Sequence, residues 1–478
     1  MIEVDEIAAT VQRMWMLHQD ELATFDNIHE YVKGRRGKPS LPESADDEIR
    51  EIRDKCVHNV LTLVLDAFVQ NLSVVGYRTS QDEANAEAWS LWQANQMDAR
   101  QAEIHHSAVK YGVGYVVVAP NESRELVFKP RSPRQLIAVY EDPQIDRWPQ
   151  YALELWVDHT NATPTRKGMF YDDTFMYEVE LGEVSTPPIE GSDQVKRHHL
   201  SITEDSIGDP VRHGGTYKGK PVCPVVRYVN RRDAEDLVEG EIERLIPDQK
   251  VINEVNFDRL IVARFGAFPQ KVISNWVGVD RDKALEISAR KLWTFEDDVK
   301  AQHFPAATLT PYNELIQGLM EHVATRAQVS PASVVGKMVN LSAEALAAAE
   351  ANQQRKLDAM RESHGESHEQ LLELAQETNG GQVDDAAQAV WKDTEARSFA
   401  SIVDGIVKIG QALAMGAPIT PLLPLVPGLT QQMINALEQQ ARLVRTAQIL
   451  NRLRQPENAD GGISGGTQIP ADADRSAS

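Results

Sequence analysis

Cysteine is scarce: the 478 residues contain two, Cys56 and Cys223, far apart in the chain. That spacing gives no disulfide framework and fits a reducing compartment. Cys56 falls in an apolar run, where a thiol acts as a small core side chain. Positive charge is also short. Lys and Arg number 49 against 71 Asp and Glu, a formal net charge of -22. A surface of that sign repels nucleic acid and anionic membrane at long range, and it lacks the clustered cations that grip phosphate. No apolar run reaches the roughly 18 residues of a membrane-spanning helix. The nearest, "NVLTLVLDAFVQNLSVVGY", is broken by Asp66, Gln70 and Asn71. The opening "MIEVDEIAATVQRMW" is acidic and amphipathic, without the basic start and apolar stretch of a signal peptide. A soluble, cytoplasmic chain with no membrane partner is expected.

Catalytic signatures are missing as well. There is no G-x-x-x-x-G-K-[ST] phosphate loop and no C-x-x-C. "GVGYVVV" puts its glycines before a strand, whereas a dinucleotide fingerprint needs strand, glycine turn, then helix. "HGESH" sets His364 and His368 at i and i+4, a spacing that can share a zinc ion. Gly365 stands where the H-E-x-x-H pattern needs its Glu base. His364 also shares an apolar stripe with Leu357, Met360, Leu371 and Leu374, which reads as packing. His105 and His106, and His198 and His199, do not read as metal sites. Asp297 and Asp298 serve a two-metal nuclease only if partners converge in space; otherwise they are solvated surface. The basic loop "KGRRGKP" reads as exposed. No catalytic residue, cofactor or metal ligand is assigned.

What is present is ordinary globular composition, 42% hydrophobic and 25% charged, enough for a sizeable core and about three units. Val4, Ile7, Val11, Met14, His18, Leu22 and Phe25 follow a helical period. A second helix is expected from about Asp47 to Leu72. Two more fill 80–112, stopped at Gly112. The period then shortens. "GYVVVAP", "ELVFKP", "QLIAVYED", "YALELWVDH", "GMFYDDTFMYEVEL" and "PVVRYVN" read as strands of an antiparallel or mixed sheet. Helix returns after residue 233, with a kink or fresh start at Pro247. A compact mixed unit spans 268–304, and "YNELIQGLMEHVATRAQ" is a further helix. After the loop-like "VSPASVVGKMVN" comes a run rich in Ala, Leu, Glu and Gln, from Ser342 to an ending at "NGG". At 1.5 Å per residue such a helix is roughly 55 Å long. Its apolar stripe is thin: Leu346, Leu357, Met360, Leu371 and Leu374. Glu350, Gln353, Arg355, Lys356, Asp358, Arg361 and Glu362 flank it. A narrow stripe with charge on both sides suits a neighbour in the same chain or in another. A Trp-containing strand, a helix, a Pro-rich break at 418–427, a last helix and a polar tail complete the chain.

Taken in order, these blocks resemble the portal proteins of tailed double-stranded DNA bacteriophages of the siphophage type, across about residues 5 to 450. The resemblance rests on "YVKGRRGKP" after the first helix and on "CVHNVLTLVLDAFVQNLSVVGYRT" with a Gly76-Tyr77 turn. It rests also on "LWQANQMDARQAEIHHSAVKYGVGYVVV", "PVCPVVRYVNR", "SPASVVGKMVNLSAEALAAAEANQQRKL" and "VWKDTEARSFASIVDGIVKIGQA". It implies an α+β, mostly helical fold. A β-rich wing (1–237) would lead to a first stem helix (238–266), a clip (267–307) and a second stem helix (308–328). A tunnel loop (329–341), a long wing helix with a strand (342–395), a crown (396–454) and a tail (455–478) would follow. It further implies a homo-oligomeric ring, generally of twelve subunits, at one vertex of the capsid. Duplex DNA would pass through its axis in packaging and ejection. Partners would be the major capsid protein, the terminase large subunit and a head-completion or adaptor protein. The setting would be the virion, and host cytoplasm during assembly. Val334, Val335, Gly336, Lys337 and Met338 would form the channel loop, with Lys337 near the duplex. Leu346, Leu357, Met360, Leu371 and Leu374 would pack subunits together. The alternatives are a metal-dependent nucleic-acid enzyme using the acidic pairs and His364/His368, or a helical scaffold without a DNA channel.

Overall fold

The computed structural model describes residues 4–79, 85–121, 123–160, 163–183, 202–266, 271–274, 300–303, 308–336, 343–392, 407–408 and 411. Two compact units divide the chain, Met1–Ser401 and Ile402–Ser478. Of the second, Val407, Lys408 and Gln411 are described as helical. The expected crown helices, the polar tail and the loop after residue 183 otherwise lie outside the described residues. The fold is mixed α+β, as the change of sequence period implies.

Helix α1 (Val4–Val32) is longer than its apolar period indicated. Its first half lays Ile7, Val11, Met14 and Trp15 on a five-stranded antiparallel sheet. Its second half sends Ile28, Tyr31 and Val32 into a helical core. The expected single helix over 47–72 is two: α2 (Asp47–Asp54) and α3 (Leu61–Val69). The break has its cause in a distant helix, through the side chains of Gln249, Asn253 and Asn256. Helices α4 (Ala86–Ala94) and α5 (Met97–Tyr111) follow, and Gly112 ends α5 at φ +93°. Only glycine fits there. A Cβ on Gly112 would stand 2.8 Å from the Glu239 carbonyl carbon, and one on Gly240 would meet the Lys110 carbonyl oxygen at 2.6 Å.

Two of the sheets pack against each other. One is β2 (Val113–Pro120), central between β3 (Leu126–Arg131) and β11 (Val225–Val229). The other runs in order β4 (Leu136–Val139), β5 (Tyr151–Asp158), β6 (Thr165–Tyr171), β7 (Phe175–Glu183) and β8 (Val211–Arg212). All neighbours are antiparallel. Period-2 alternation sends Val113, Tyr115, Val117 and Val225 of the first sheet against Leu136, Ala152 and Tyr171 of the second. Cys223 is buried between them as a free thiol, and Cys56 is likewise free and buried. A small hairpin joins β9 (Thr216–Tyr217) to β10 (Lys220–Pro221).

Strands β8, β9 and β10 were not expected, and neither was a strand over Gly76. Gly76 and Tyr77 do not form a turn; they lie in β1 (Val74–Arg78), which pairs antiparallel with β14 (Gln388–Trp391). The register shifts between Val74 and Gly76, so the glycine marks an irregular pairing rather than a reversal of the chain.

Candidate assembly and channel elements

Helix α6 runs from Ile246 to Gly266, with Pro247 in its first turn, where a missing N–H costs nothing. It is a fresh start rather than a kink. Helix α7 (Thr310–Ala327) returns beside it. Arg326 pairs with Asp248, and Arg259 donates to Asn313 Oδ1 at 3.0 Å, which fixes the two helices as antiparallel. Between them the chain goes out and back through β12 (Lys271–Ser274) and β13 (Lys300–His303), paired from Lys271↔His303 to Ser274↔Lys300. The rest of the expected clip, with Asp297 and Asp298, lies outside the described residues.

One face of α6 carries Gln249, Asn253 and Asn256, all buried. These amides account for the broken second helix. Gln249 accepts from Val60 N–H at 2.9 Å and donates to His58 O at 2.7 Å. Asn253 accepts from His58 N–H at 3.0 Å and donates to Gly37 O at 3.0 Å, and Asn256 donates to Cys56 O at 2.6 Å. The backbone between α2 and α3 thus finds its partners in side chains of α6 instead of in a continued helix. Spacing of four and three residues puts all three amides on one face, a signal present in the sequence but not recognised as a clamp.

After α7 comes a short helix, α8 (Pro331–Val335), capped by Gly336 at φ +69°. Val334 is buried with Leu357, Met360 and Val323 in the helical core; Val335 is half-buried and Gly336 exposed. Lys337 and Met338 lie outside the described residues. Helix α9 then spans Ala343–Thr378. Leu346 lies in it, its side chain outside the described residues. Leu357 and Met360 sit in the helical core, and Leu371 and Leu374 in a second core with Trp92, Phe128 and Tyr228. These four side chains are therefore filled by their own chain and are not free to pack another subunit. The buried stripe is also wider than the sequence indicated. Gln353 accepts from Ser330 N–H at 3.0 Å and donates to Ala67 O at 3.2 Å. Lys356 pairs with the buried Glu241, which also accepts from Arg244 and Asn230. Burial outweighs that attraction and pulls the Lys356 pKa down to about 8.

His364 and His368 meet His105 of α5 in the second core, and all three are fully buried. His105 and His368 share a hydrogen bond between their Nε2 atoms at 2.8 Å. The Nδ1 of His105 donates to Leu72 O at 3.1 Å, and the Nδ1 of His368 lies 3.0 Å from Tyr228 OH. His364 stacks on His105 with ring centres 5.4 Å apart. Four of the six ring nitrogens are thus committed to hydrogen bonds, so the i, i+4 pair presents no joint donor set. Among the described residues no group of three or more His, Cys, Asp or Glu is placed to hold a metal ion. Burial pulls all three pKa values down, that of His105 to about 4, so the cluster is neutral at pH 7. His106, separately, is half-buried.

Residues 12–443, which take in these helices, the paired strands between them and the long cross-core helix, match the family model of the phage portal proteins. The chain belongs to the SPP1 Gp6-like portal family. A portal protein of Mycobacterium phage D29 is 24% identical over 366 residues, covering 73% of this chain and 71% of its own. A portal protein of Mycobacterium phage L5 is 22% identical over 433 residues, covering 86% and 83%. A chain from the virion of a native gene transfer agent particle superimposes with a TM-score of 0.44 at 12% identity, covering 83% of this chain and 99% of that one. The family is structural, not enzymatic, and belongs to bacteriophage virions.

Proposed function

We propose that copies of this chain close into a ring, generally of twelve, at one vertex of the capsid. The axial hole would carry duplex DNA inward in packaging and outward in ejection. Family membership over 12–443 carries the reading. The antiparallel pair α6 and α7, ending in the strands β12 and β13, supports a stem that holds a clip at its tip, where terminase and then a head-completion protein would dock. The capsid protein would meet the wing, residues 1–237. The tunnel loop, 329–341, would start from the anchored Val334 and project beyond Gly336, carrying Lys337 and Met338. Because Leu357, Met360, Leu371 and Leu374 are filled internally, the subunit contact moves to other surfaces. Val251 on α6 and Leu315 on α7 are exposed apolar side chains available to a neighbour. A net charge of -22 suits a conduit that must not hold its cargo, since phosphate slides past an acidic wall instead of binding it.

Negative-stain imaging of the purified chain tests this directly. Annuli with a central hole are expected. Monomers at every concentration, together with capsids that fill with genome in the protein's absence, would overturn it.

A further inference from the structure

At the end of α1 lies a cavity of about 250 Å³, walled by α5 and by the turn after β3. Nothing in a ring or channel requires it. Lys110, in the last turn of α5, lines it and is 3% exposed. Its ammonium donates to His29 Nδ1 at 3.0 Å and lies 4.7 Å from the centre of the Tyr111 ring. Tyr111 OH lies 3.1 Å from the same His29 nitrogen. Among the described residues no Asp or Glu pairs with Lys110. A buried ammonium without an anion is costly, so the arrangement lacks a negative group.

The surroundings do not supply one. Arg131 and Arg134 line the same cavity, and their carboxylates, Glu154 and Asp26, are engaged with them. Glu103 is the acidic side chain of the lining and is exposed at its rim. Burial first, then Arg134 and Lys33, pull the Lys110 pKa down to about 8, with Glu30 opposing. Burial and Lys110 hold His29 at about 4, so it is neutral and accepts from the ammonium. His106, on the wall, is held down by burial and then by Lys110, with Asp66 opposing and Lys33 adding to the effect.

We propose that this cavity binds an oxyanion of the phosphate class, with Lys110 as its central cation. A tetrahedral oxyanion offers acceptors for the N–H groups that His29 leaves unused, and Arg131 and Arg134 add positive potential from the wall. The anion is either free phosphate or the terminal phosphate of a nucleic acid strand.

Calorimetric titration of the full chain with inorganic phosphate, and with a short duplex bearing or lacking 5′-phosphates, separates the two sources. One site per chain is expected, weakened about tenfold or more in Lys110→Met. A duplex that binds only with its 5′-phosphate, and is displaced by free phosphate, identifies the strand end. Binding of inorganic phosphate alone identifies the free ion. Sulfate, whose charge does not change near neutrality, tests the unmodified chain, so a variant that misfolds does not end the matter. Its affinity should fall as the pH rises through about 8. No saturable binding of any probe, sulfate affinity unchanged across that pH, or equal affinity in a folded Lys110→Met, overturns the proposal.

Discussion

The amide of Asn253 bridges two stretches of chain: its oxygen accepts from the His58 N–H, and its nitrogen donates to the Gly37 carbonyl, each at 3.0 Å. Asn253 is fully buried, so neither group can turn to water instead. Asn253→Leu strands a donor and an acceptor. It should cost about 2–4 kcal/mol, read as a drop in the urea midpoint without change of slope. A loss below about 0.5 kcal/mol would mean the loop finds other partners.

Glu241 is the hub of a second buried network. It holds Lys356, Arg244 and Asn230, and Lys356 is the most deeply placed of its cations. Glu241→Gln removes the charge that Lys356 needs and should destabilise by about 3–5 kcal/mol. Combining it with Lys356→Met should recover part of that loss, because the unpaired ammonium is then gone. A double-mutant cycle with no coupling would refute the pairing.

The three-histidine cluster makes stability fall in acid. Unfolded imidazoles take a proton near 6.5, whereas folded His105 resists until about 4, and His364 and His368 are also held well below the usual imidazole range by burial. The unfolded state therefore binds more protons, and stability is full above 6.5 and lost as the pH falls below it. Each histidine adds a slope of about 1.4 kcal/mol per pH unit in that window. His364→Leu, which removes two ring nitrogens that have no partner, should lower the proton uptake on unfolding by one. An unchanged pH slope would show that His364 is protonated in the fold.

Gly112 and Gly240 touch backbone to backbone where α5 turns into β2. Gly240→Ala forces its Cβ onto the Lys110 carbonyl, so a cost of about 2 kcal/mol or more is expected in thermal unfolding. Wild-type stability in that variant would mean the 240 loop moves freely.

Lys337→Glu tests the proposed channel loop. Removing a cation near the duplex should lower DNA retention in filled capsids while leaving the ring intact. Unchanged packaging and retention would remove Lys337 from that role.

The elements that announce themselves locally were legible. The short Val-, Tyr- and Leu-rich runs "YVVVA" and "YALELWV" mark β2 and β5, and the Ala-rich run marks α9. What the sequence concealed depends on distant partners. Gly76 looks like a turn residue because the strand that pairs with it begins at Gln388. The break after Asp54 is invisible without the amides of α6. Gln353 and Lys356 read as solvated flank, yet Ser330 and Glu241 draw them inward. His364 and His368 were readable as packing residues, but their contact with His105 was not.

The β1–β14 ladder has a consequence in time. Val74 and Trp391 register only once synthesis has passed β14, so until then one flank of the second core stays open and an early strand waits with its edge bare. Each copy must therefore finish its own fold before it has a completed surface to offer its neighbours, and fragments ending short of Gln388 would be prone to aggregate instead of joining an assembly.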